Sequence, residues 1–548
     1  MHRSGHFDTF ARDNLPPAEL WPDLLLDRPE FHYPERVNCV SFLLDRWIAQ
    51  GHSARPCLIA PGETWSYGEL AERVNRIANV LVGRLGLVPG NRVLLRAANT
   101  PMLVAVYLGV MKAGGIAVAT MPLLRAKELA LPINIAAVRL ALCDVRLLDE
   151  LEKARVLAPG LERIVAFGGG AGQGLEAMMA QASPHFEACD TAVDDVCLLG
   201  FTSGTTGGPK ATMHFHRDVL AIADAYGRHV LCAYAEDRFI GSPPLAFTFG
   251  LGGLVVFPMA VGASSVLVER AGPREMLEAI ERFRPSVLFT APTAYRAMLG
   301  ARGDADLSSL RICVSAGETL PLPTFEAWKA ATGISLMDGI GATEMLHIFI
   351  AAPADDIRPG STGRAVPGYE AKIVDAQGCE APRGTPGDLA VRGPTGCRYL
   401  NDSRQTRYVR DGWNLTGDTF IQDQDGYFWF QARSDDMIVS AGYNISGPEV
   451  EVSLAGHEAV AECAVVGAPD PERGVIVKAF VILRPGFHPD AALVRALQDH
   501  VKGDVAPYKY PRAIEFRAEL PKTPSGKIQR SVLRSEAKAS GSPEGSRS

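Results

Sequence analysis

The chain has no paired cysteines. Its ten cysteines fall singly between Cys39 and Cys463, with no CxxC and no histidine at zinc-like spacing, which argues against a disulfide framework or a zinc module. Each thiol reads as a small buried hydrophobe, and a reducing cytoplasm suits them best. A basic surplus is also missing: 55 Lys and Arg against 62 Asp and Glu leave a formal charge of -7. Net charge therefore draws the chain to neither nucleic acid nor an anionic membrane. Residues 1–8 lack the apolar core of a signal peptide, so no export is expected. No apolar run is long and unbroken enough to read as a membrane span. The stretch 102–124 carries Lys112 and breaks at Gly114-Gly115, and the charge-free stretch 243–268 is interrupted by Pro243-Pro244, Gly250, Gly252-Gly253, Pro258 and Gly262. Buried elements of an α/β protein explain both.

A chain of 548 residues with 47% hydrophobic and 21% charged content is globular and exceeds the size of one core, so at least two domains are expected. An amphipathic stretch at 37–50 suggests an N-terminal cap on the main body. A strand near 57–59, a helix at 67–85 and a strand at 92–95 begin an alternation that recurs at 287–290 and 310–314. Such alternation predicts a parallel sheet with helices on its faces. The glycine run at 168–172 marks an exposed loop. Past 388, short strands between glycines predict a β-rich subdomain. Beyond 433, helices at 447–455 and 491–501 with strands at 462–466 and 478–483 predict a small α+β unit. The Ser, Gly, Glu and Lys-rich tail from 537 reads as disordered.

The chemistry lies in Thr202-Ser203-Gly204-Thr205-Thr206-Gly207-Gly208-Pro209-Lys210, which follows the strand-like run 196–201. Glycines let the backbone approach phosphate oxygens, while hydroxyls and an ammonium supply donors and charge. The spacing departs from a Walker loop: Pro209 stands where its second glycine would be, and Ala211 replaces the Mg-binding Ser or Thr. An ordinary kinase or P-loop ATPase is disfavoured.

This loop resembles the phosphate loop of the adenylate-forming superfamily, which includes acyl-CoA and aryl-CoA synthetases, nonribosomal adenylation domains and firefly luciferase. Four further segments resemble family motifs in the same order: Asp338-Gly339-Ile340-Gly341-Ala342-Thr343-Glu344, with Asp-Gly where many members have Tyr-Gly; Trp413-Asn414-Leu415-Thr416-Gly417-Asp418; Arg433-Ser434-Asp435-Asp436-Met437-Ile438; and Pro521-Lys522-Thr523-Pro524-Ser525-Gly526-Lys527. The resemblance implies a large N-terminal domain, 1–433, of layered α/β subdomains plus the β-rich subdomain, and a small mobile α+β domain, 434–548. It implies ATP, Mg²⁺ and CoA as ligands. Thr202, Ser203, Gly204, Thr205, Thr206 and Lys210 would hold phosphate, Thr202 also serving catalysis. Glu344, ordinarily a surface residue, would hold the metal, beside Thr343. Asp418 and Arg433 would bind ribose, and Ala316, Gly317, Glu318 and Asp338 to Gly341 would flank adenine. Lys527 would be the catalytic lysine, Asp435 the hinge, and Ala441-Gly442 the lining of the thiol tunnel.

The run after Glu344, Met345-Leu346-His347-Ile348-Phe349, is similar to that of benzoate-CoA and 2-aminobenzoate-CoA ligases, as are Thr9-Phe10-Ala11-Arg12-Asp13 and Tyr33-Pro34. The implied aryl site comprises Phe247, Thr248, Phe249, Gly250, Gly317, Gly339, Ile340, Gly341, His347 and Ile348. Thr248-Phe249 stands where benzoate-activating relatives tend to read Ala-Tyr, which favours 2-aminobenzoate over benzoate. The thiol acceptor stays open between CoA and a carrier protein, as does assembly into a homodimer. No nucleic acid or membrane partner is expected.

Overall fold

The structure, a computed structural model, describes residues 2–170, 172–202, 209–433, 437–440, 443–470, 474–505, 509–523 and 526–540. The chain packs into two compact units. The first takes Met1–Ala371, Ala390–Leu415 and Gly426–Phe428; the second takes Lys372–Leu389, Thr416–Asp425 and Trp429–Ser548. Packing thus gathers into the second unit segments that precede 433. Within it, the Gly384 amide donates to the Gln422 carbonyl at 2.8 Å and the Trp429 indole to Asp423 at 2.9 Å.

Two sheets organise the first unit. One is nine-stranded, in the order Arg364–Ala365, Ile348–Ala351, Leu336–Gly341, Ile312–Ala316, Val287–Thr290, Arg238–Gly241, Ser264–Val266, Pro56–Ala60 and Glu63–Ser66. Strands from Leu336–Gly341 through Pro56–Ala60 run parallel, and both edges turn antiparallel. Its helices bury Met276, Leu277, Ile280, Tyr295, Met298, Phe325 and Trp328 in one cluster with strand residues such as Ile240 and Leu288. The other sheet is six-stranded: Arg163–Phe167, Leu140–Asp144, Arg92–Arg96, Ile116–Thr120, Val196–Thr202 and Lys210–Phe215. Only its last pair is antiparallel. Parallel strands covered on both faces must be apolar throughout, which is why they read as unbroken hydrophobic runs.

Helix Tyr67–Gly83 starts at a capping box in which the Ser66 hydroxyl accepts from the Glu69 amide at 3.2 Å and Glu69 accepts from the Ser66 amide at 2.8 Å, an arrangement worth about 1 kcal/mol. The apolar stretch at 102–124 resolves into helix Pro101–Lys112 and strand Ile116–Thr120. Lys112, its single charge, is buried but paired: its ammonium lies 2.7 Å from both Asp45 and Asn75, as desolvation of a cation requires. Among the described residues no helix is long and apolar enough to cross a membrane. In the N-terminal stretch Cys39, Val40, Leu43 and Leu44 are fully buried.

The second unit centres on strands Val460–Asp470, Gly474–Leu483 and Ala513–Phe516, with helices Gly447–Ala455, Ala491–Asp504 and Arg530–Ser540. The last helix corrects the expectation of disorder from 537. Leu533 and Ala537, four apart on one helix face, are buried with Phe480 and Leu520, and that burial outweighs the polar composition. Residues 541–548 lie outside the described residues. The cysteines need a correction too: Cys232 and Cys379 are exposed and Cys189 half-buried, while the others are buried and all ten are free.

Candidate active site

The phosphate-loop segment joins two antiparallel strands, with Thr202 paired to Lys210. Its last residue, Lys210, opens a strand, so no helix N-terminus follows as in a Walker site. Ser203, Gly204, Thr205 and Thr206 lie outside the described residues. The Thr202 hydroxyl is sealed from solvent without a partner among the described residues. Lys210 donates to the Tyr399 hydroxyl at 2.6 Å and to Glu344 Oε1 at 3.3 Å. Tyr399 in turn donates to Glu344 Oε1 at 2.5 Å. Burial, with the Glu344 charge adding to it, holds the Tyr399 phenol far above its ordinary pKa, so it stays a donor.

Glu344 rides on a short 3₁₀ turn, Thr343–Met345, between strands Leu336–Gly341 and Ile348–Ala351. The turn is pinned at both ends. His214 Nε2 donates to the Thr343 carbonyl at 2.8 Å, and the Thr395 hydroxyl donates to the Met345 carbonyl at 2.8 Å. Immediately after these pins Leu346 has φ 69°, a conformation that costs a non-glycine residue about 1–3 kcal/mol and persists only where neighbours enforce it. Gly341 meets the same crowding, since a Cβ there would lie 2.8 Å from the His347 carbonyl.

Beneath the turn lies a fully buried ionic group. Arg398 donates to Asp218, whose carboxylate also accepts the Phe215 amide at 3.0 Å and lies 3.8 Å from His214 Nδ1. Burial pushes the Asp218 carboxyl up, but Arg398, His214 and Arg217 together outweigh it and hold the carboxyl below its ordinary pKa. Sequence reading singles out none of Tyr399, His214, Asp218 and Arg398. His214 alone carries a local signal, a polar residue inside the apolar strand Lys210–Phe215, and that is unspecific.

On the adenine-motif side, Ser315 pairs with Asp338 and Ala316 with Gly339 across adjacent parallel strands, so both motifs sit together at strand carboxyl ends, where ligands of α/β sheets bind. Burial pushes the Asp338 carboxyl up to about 7, against the Gly339 amide and Ser315. Gly317 is exposed at φ 87°. The Glu318 carboxylate is engaged by the Thr293 amide at 3.3 Å and by the Thr293 hydroxyl, at the start of helix Pro292–Ala301.

The aryl-site residues divide. A Cβ on Gly200 would lie 2.6 Å from the Thr343 methyl and 3.7 Å from the Thr248 methyl, so these two threonines flank one glycine. His347 is 2% exposed, with ring centroids of Phe257, Tyr226, Phe249 and Phe289 at 4.6, 5.5, 5.7 and 6.4 Å. Its ring nitrogens have no partner among the described residues. Burial lowers its pKa to about 3, so it is neutral at physiological pH. Ile348 packs beside Gly339 and Ile340 is half-buried, whereas Phe247 is exposed and Gly250 buried.

Within the second unit, Asp418 is buried and its amide donates to the Thr416 hydroxyl at 3.2 Å. Lys527 is exposed in a turn closed by the Thr523 amide on the Lys527 carbonyl at 2.8 Å and by the Lys527 amide on the Thr523 hydroxyl at 3.1 Å. Arg433 ends strand Phe428–Arg433. Asp435, Ala441 and Gly442 lie outside the described residues. One cluster was hidden by sequence distance: Cys39, Cys197 and His216 bring their ligand-type atoms within 4.8 Å of one another, all buried. His216 Nδ1 already accepts the Cys39 amide at 3.1 Å, so the trio reads as hydrogen-bonded core.

The AMP-binding enzyme family profile matches residues 44–399, and that of the AMP-binding enzyme C-terminal domain matches 449–527. The chain belongs to this family. It is an AMP-forming acid–thiol ligase, and ATP and CoA are the substrates such ligases share. It is 38% identical to the benzoate–CoA ligase of Thauera aromatica over 92% of this chain and 97% of that one. Among solved structures it is similar to the anthranilate CoA ligase AuaEII in complex with anthranoyl-AMP (TM-score 0.88, 38% identity, 94% of this chain and 99% of that one). It is also similar to a benzoate CoA ligase from Burkholderia xenovorans LB400 (TM-score 0.81, 33% identity, 91% and 100%).

Two predictions follow from the charges. Asp218→Ala strands a buried guanidinium and should cost about 3–5 kcal/mol of stability in denaturant unfolding, part of it restored by adding Arg398→Met. A loss below 1 kcal/mol would show that the pair is not buried as described. For Asp338 the folded pKa lies above the unfolded one, so its stabilising contribution is complete below pH 3.8 and is lost as pH rises to about 7. Wild type should therefore lose stability relative to Asp338→Asn across that window; parallel curves would count against it.

Proposed function

We propose that this chain activates 2-aminobenzoate. ATP and the acid would give acyl-adenylate and pyrophosphate, and the CoA thiol would then displace AMP to give 2-aminobenzoyl-CoA. The observation that carries the aromatic reading is the ring cluster around neutral His347, which begins three residues beyond Glu344. A flat apolar ring suits such a wall. The similarity to an anthranilate CoA ligase supports the 2-amino substituent.

In this reading Thr202, Ser203, Gly204, Thr205, Thr206 and Lys210 hold the triphosphate. Ala316, Gly317 and Asp338 to Gly341 flank adenine, with Glu318 acting through its backbone because Thr293 occupies its carboxylate. Asp418 accepts from the ribose hydroxyls and Arg433 donates to them. Glu344 fits Mg²⁺: it is a single hard carboxylate on a pinned turn beside Lys210, and Mg²⁺ takes few protein ligands while sharing phosphate oxygens. The ion, when bound, neutralises phosphate charge. Lys527 offsets charge where the acid attacks the α-phosphate. Asp435 is the pivot between an N-terminal domain 1–433 and a C-terminal domain 434–548, and Ala441-Gly442 line the thiol path. Free cysteines throughout support a cytoplasmic setting.

Offering aryl acids with either CoA or a phosphopantetheinylated carrier protein tests the substrate and the acceptor together; thioester on the carrier alone would overturn the CoA assignment. Lys527→Ala should slow adenylate formation by orders of magnitude yet leave thioester formation from supplied acyl-adenylate largely intact. Equal losses would remove the lysine from the first step. A hydrogen bond from the ortho-amino group to Thr248 is worth about 0.5–1.5 kcal/mol. Thr248→Ala should accordingly lower kcat/KM for 2-aminobenzoate relative to benzoate by a few-fold to tenfold, and an unchanged ratio would take Thr248 out of the specificity.

A further inference from the structure

We propose that Asn99 is a positioning residue for the acid: its side-chain amide ties the segment leading into the aryl site to the sheet that carries the phosphate loop. This rests on the reading of Phe247, Thr248, Phe249 and Gly250 as aryl-site residues given above. Those four follow strand Arg238–Gly241 of the nine-stranded sheet, whereas the phosphate-loop segment leaves strand Val196–Thr202 of the six-stranded one. The two sheets share no strand among the described residues. For an acid to meet the nucleotide, groups hung from different sheets must keep one spacing, and a side chain has to set it.

Asn99 belongs to the six-stranded side. It lies in the link between strand Arg92–Arg96 and helix Pro101–Lys112 and is 7% exposed. Its Nδ2 donates to the Pro243 carbonyl at 3.0 Å, and its Oδ1 accepts the Leu245 amide at 2.9 Å. One carboxamide thus serves the backbone on both sides of Pro244, offering the donor and acceptor that a peptide group of a neighbouring strand would. The segment needs such a partner, because Pro243-Pro244 has carbonyls but no N–H of its own. Its upstream end is tied to its own sheet: the Ser242 amide donates to the Phe289 carbonyl at 3.1 Å, and the Ser242 and Thr290 hydroxyls are hydrogen-bonded. Downstream, the Phe247 amide donates to the Pro244 carbonyl at 3.0 Å. Gly250 lies against the same stretch: a Cβ there would come within 2.7 Å of the Pro243 carbonyl oxygen and closer still to that of Pro244. A shift of residues 243–245 is therefore felt at Gly250 and, through it, at Thr248 and Phe249.

The test removes the amide and keeps its bulk. Asn99→Leu fills the same place but neither donates nor accepts; Asn99→Asp keeps the acceptor for Leu245 and turns a carboxylate oxygen on the Pro243 carbonyl. In adenylation followed by pyrophosphate release, each should raise KM for 2-aminobenzoate about tenfold and KM for MgATP less than about twofold, since small misplacements of a binding group cost this much. Gly250→Ala pushes on the same two carbonyls, so the double variant with Asn99→Leu should lose far less than the product of the two single losses. Equal rises in the two KM values would mean a general structural role and overturn the proposal, as would losses that simply multiply. An unchanged KM for the acid in both Asn99 variants, with Phe249→Ala raising it, overturns the proposal while leaving the aryl site standing. If Thr248→Ala and Phe249→Ala both leave that KM unchanged, the aryl-site reading itself fails, and the proposal with it.

Discussion

Arg398 and Asp218 are fully buried, and withdrawing two ions from water costs several kcal/mol each unless geometry and further hydrogen bonds return it. Here the return comes from elements far apart in the chain. Asp218 opens helix His216–Ile222 and also accepts the Phe215 amide, while Arg398 comes from the segment that carries Tyr399. His214, 3.8 Å from Asp218, reaches from its Nε2 to the Thr343 carbonyl. The ion pair thus fixes three things that local sequence leaves loose: the strand after the phosphate loop, the Tyr399 segment and the turn bearing Glu344.

The motif segments at 202–210 and 338–344 both fall where a parallel sheet ends in an antiparallel pair. The six-stranded sheet is parallel until Val196–Thr202 meets Lys210–Phe215, and the nine-stranded sheet until Leu336–Gly341 meets Ile348–Ala351. A parallel strand hands its carboxyl end to a connection that crosses back over the sheet, whereas an antiparallel pair needs only a short link. A short link holds a side chain at the sheet's end within a few residues of rigid strand at either side. That rigidity is what lets Leu346 keep a positive φ and lets Gly341 approach the His347 carbonyl.

The parts of this arrangement legible in the sequence were those with local pattern. Helix Gly447–Ala455 and strand Val287–Thr290 appear at their expected bounds, because caps and apolar periodicity are local. Lys210 and Glu344 were legible through motifs. Tyr399 was not, because what distinguishes it is a hydroxyl between two residues that precede it by 189 and 55 positions. The Cys39, Cys197 and His216 cluster escaped for the same reason: only the fold brings those atoms together. The helix through Ala537 failed differently, since composition cannot register that two residues on one face find a strand to cover them.

The segment from Thr343 to Ile348 separates two electrostatic regimes within six residues. At one end the Glu344 carboxylate accepts hydrogen bonds from Lys210 and Tyr399. At the other, burial among aromatic rings keeps His347 neutral. On the proposed reading a carboxylic acid spans this divide, its ring against the uncharged wall and its carboxylate toward the charged end. On that reading the apolar end orients the ring, and the charge offset at the attacking oxygen is left to Lys527. That is the condition under which one exposed lysine, Lys527, can govern adenylation while contributing little to binding.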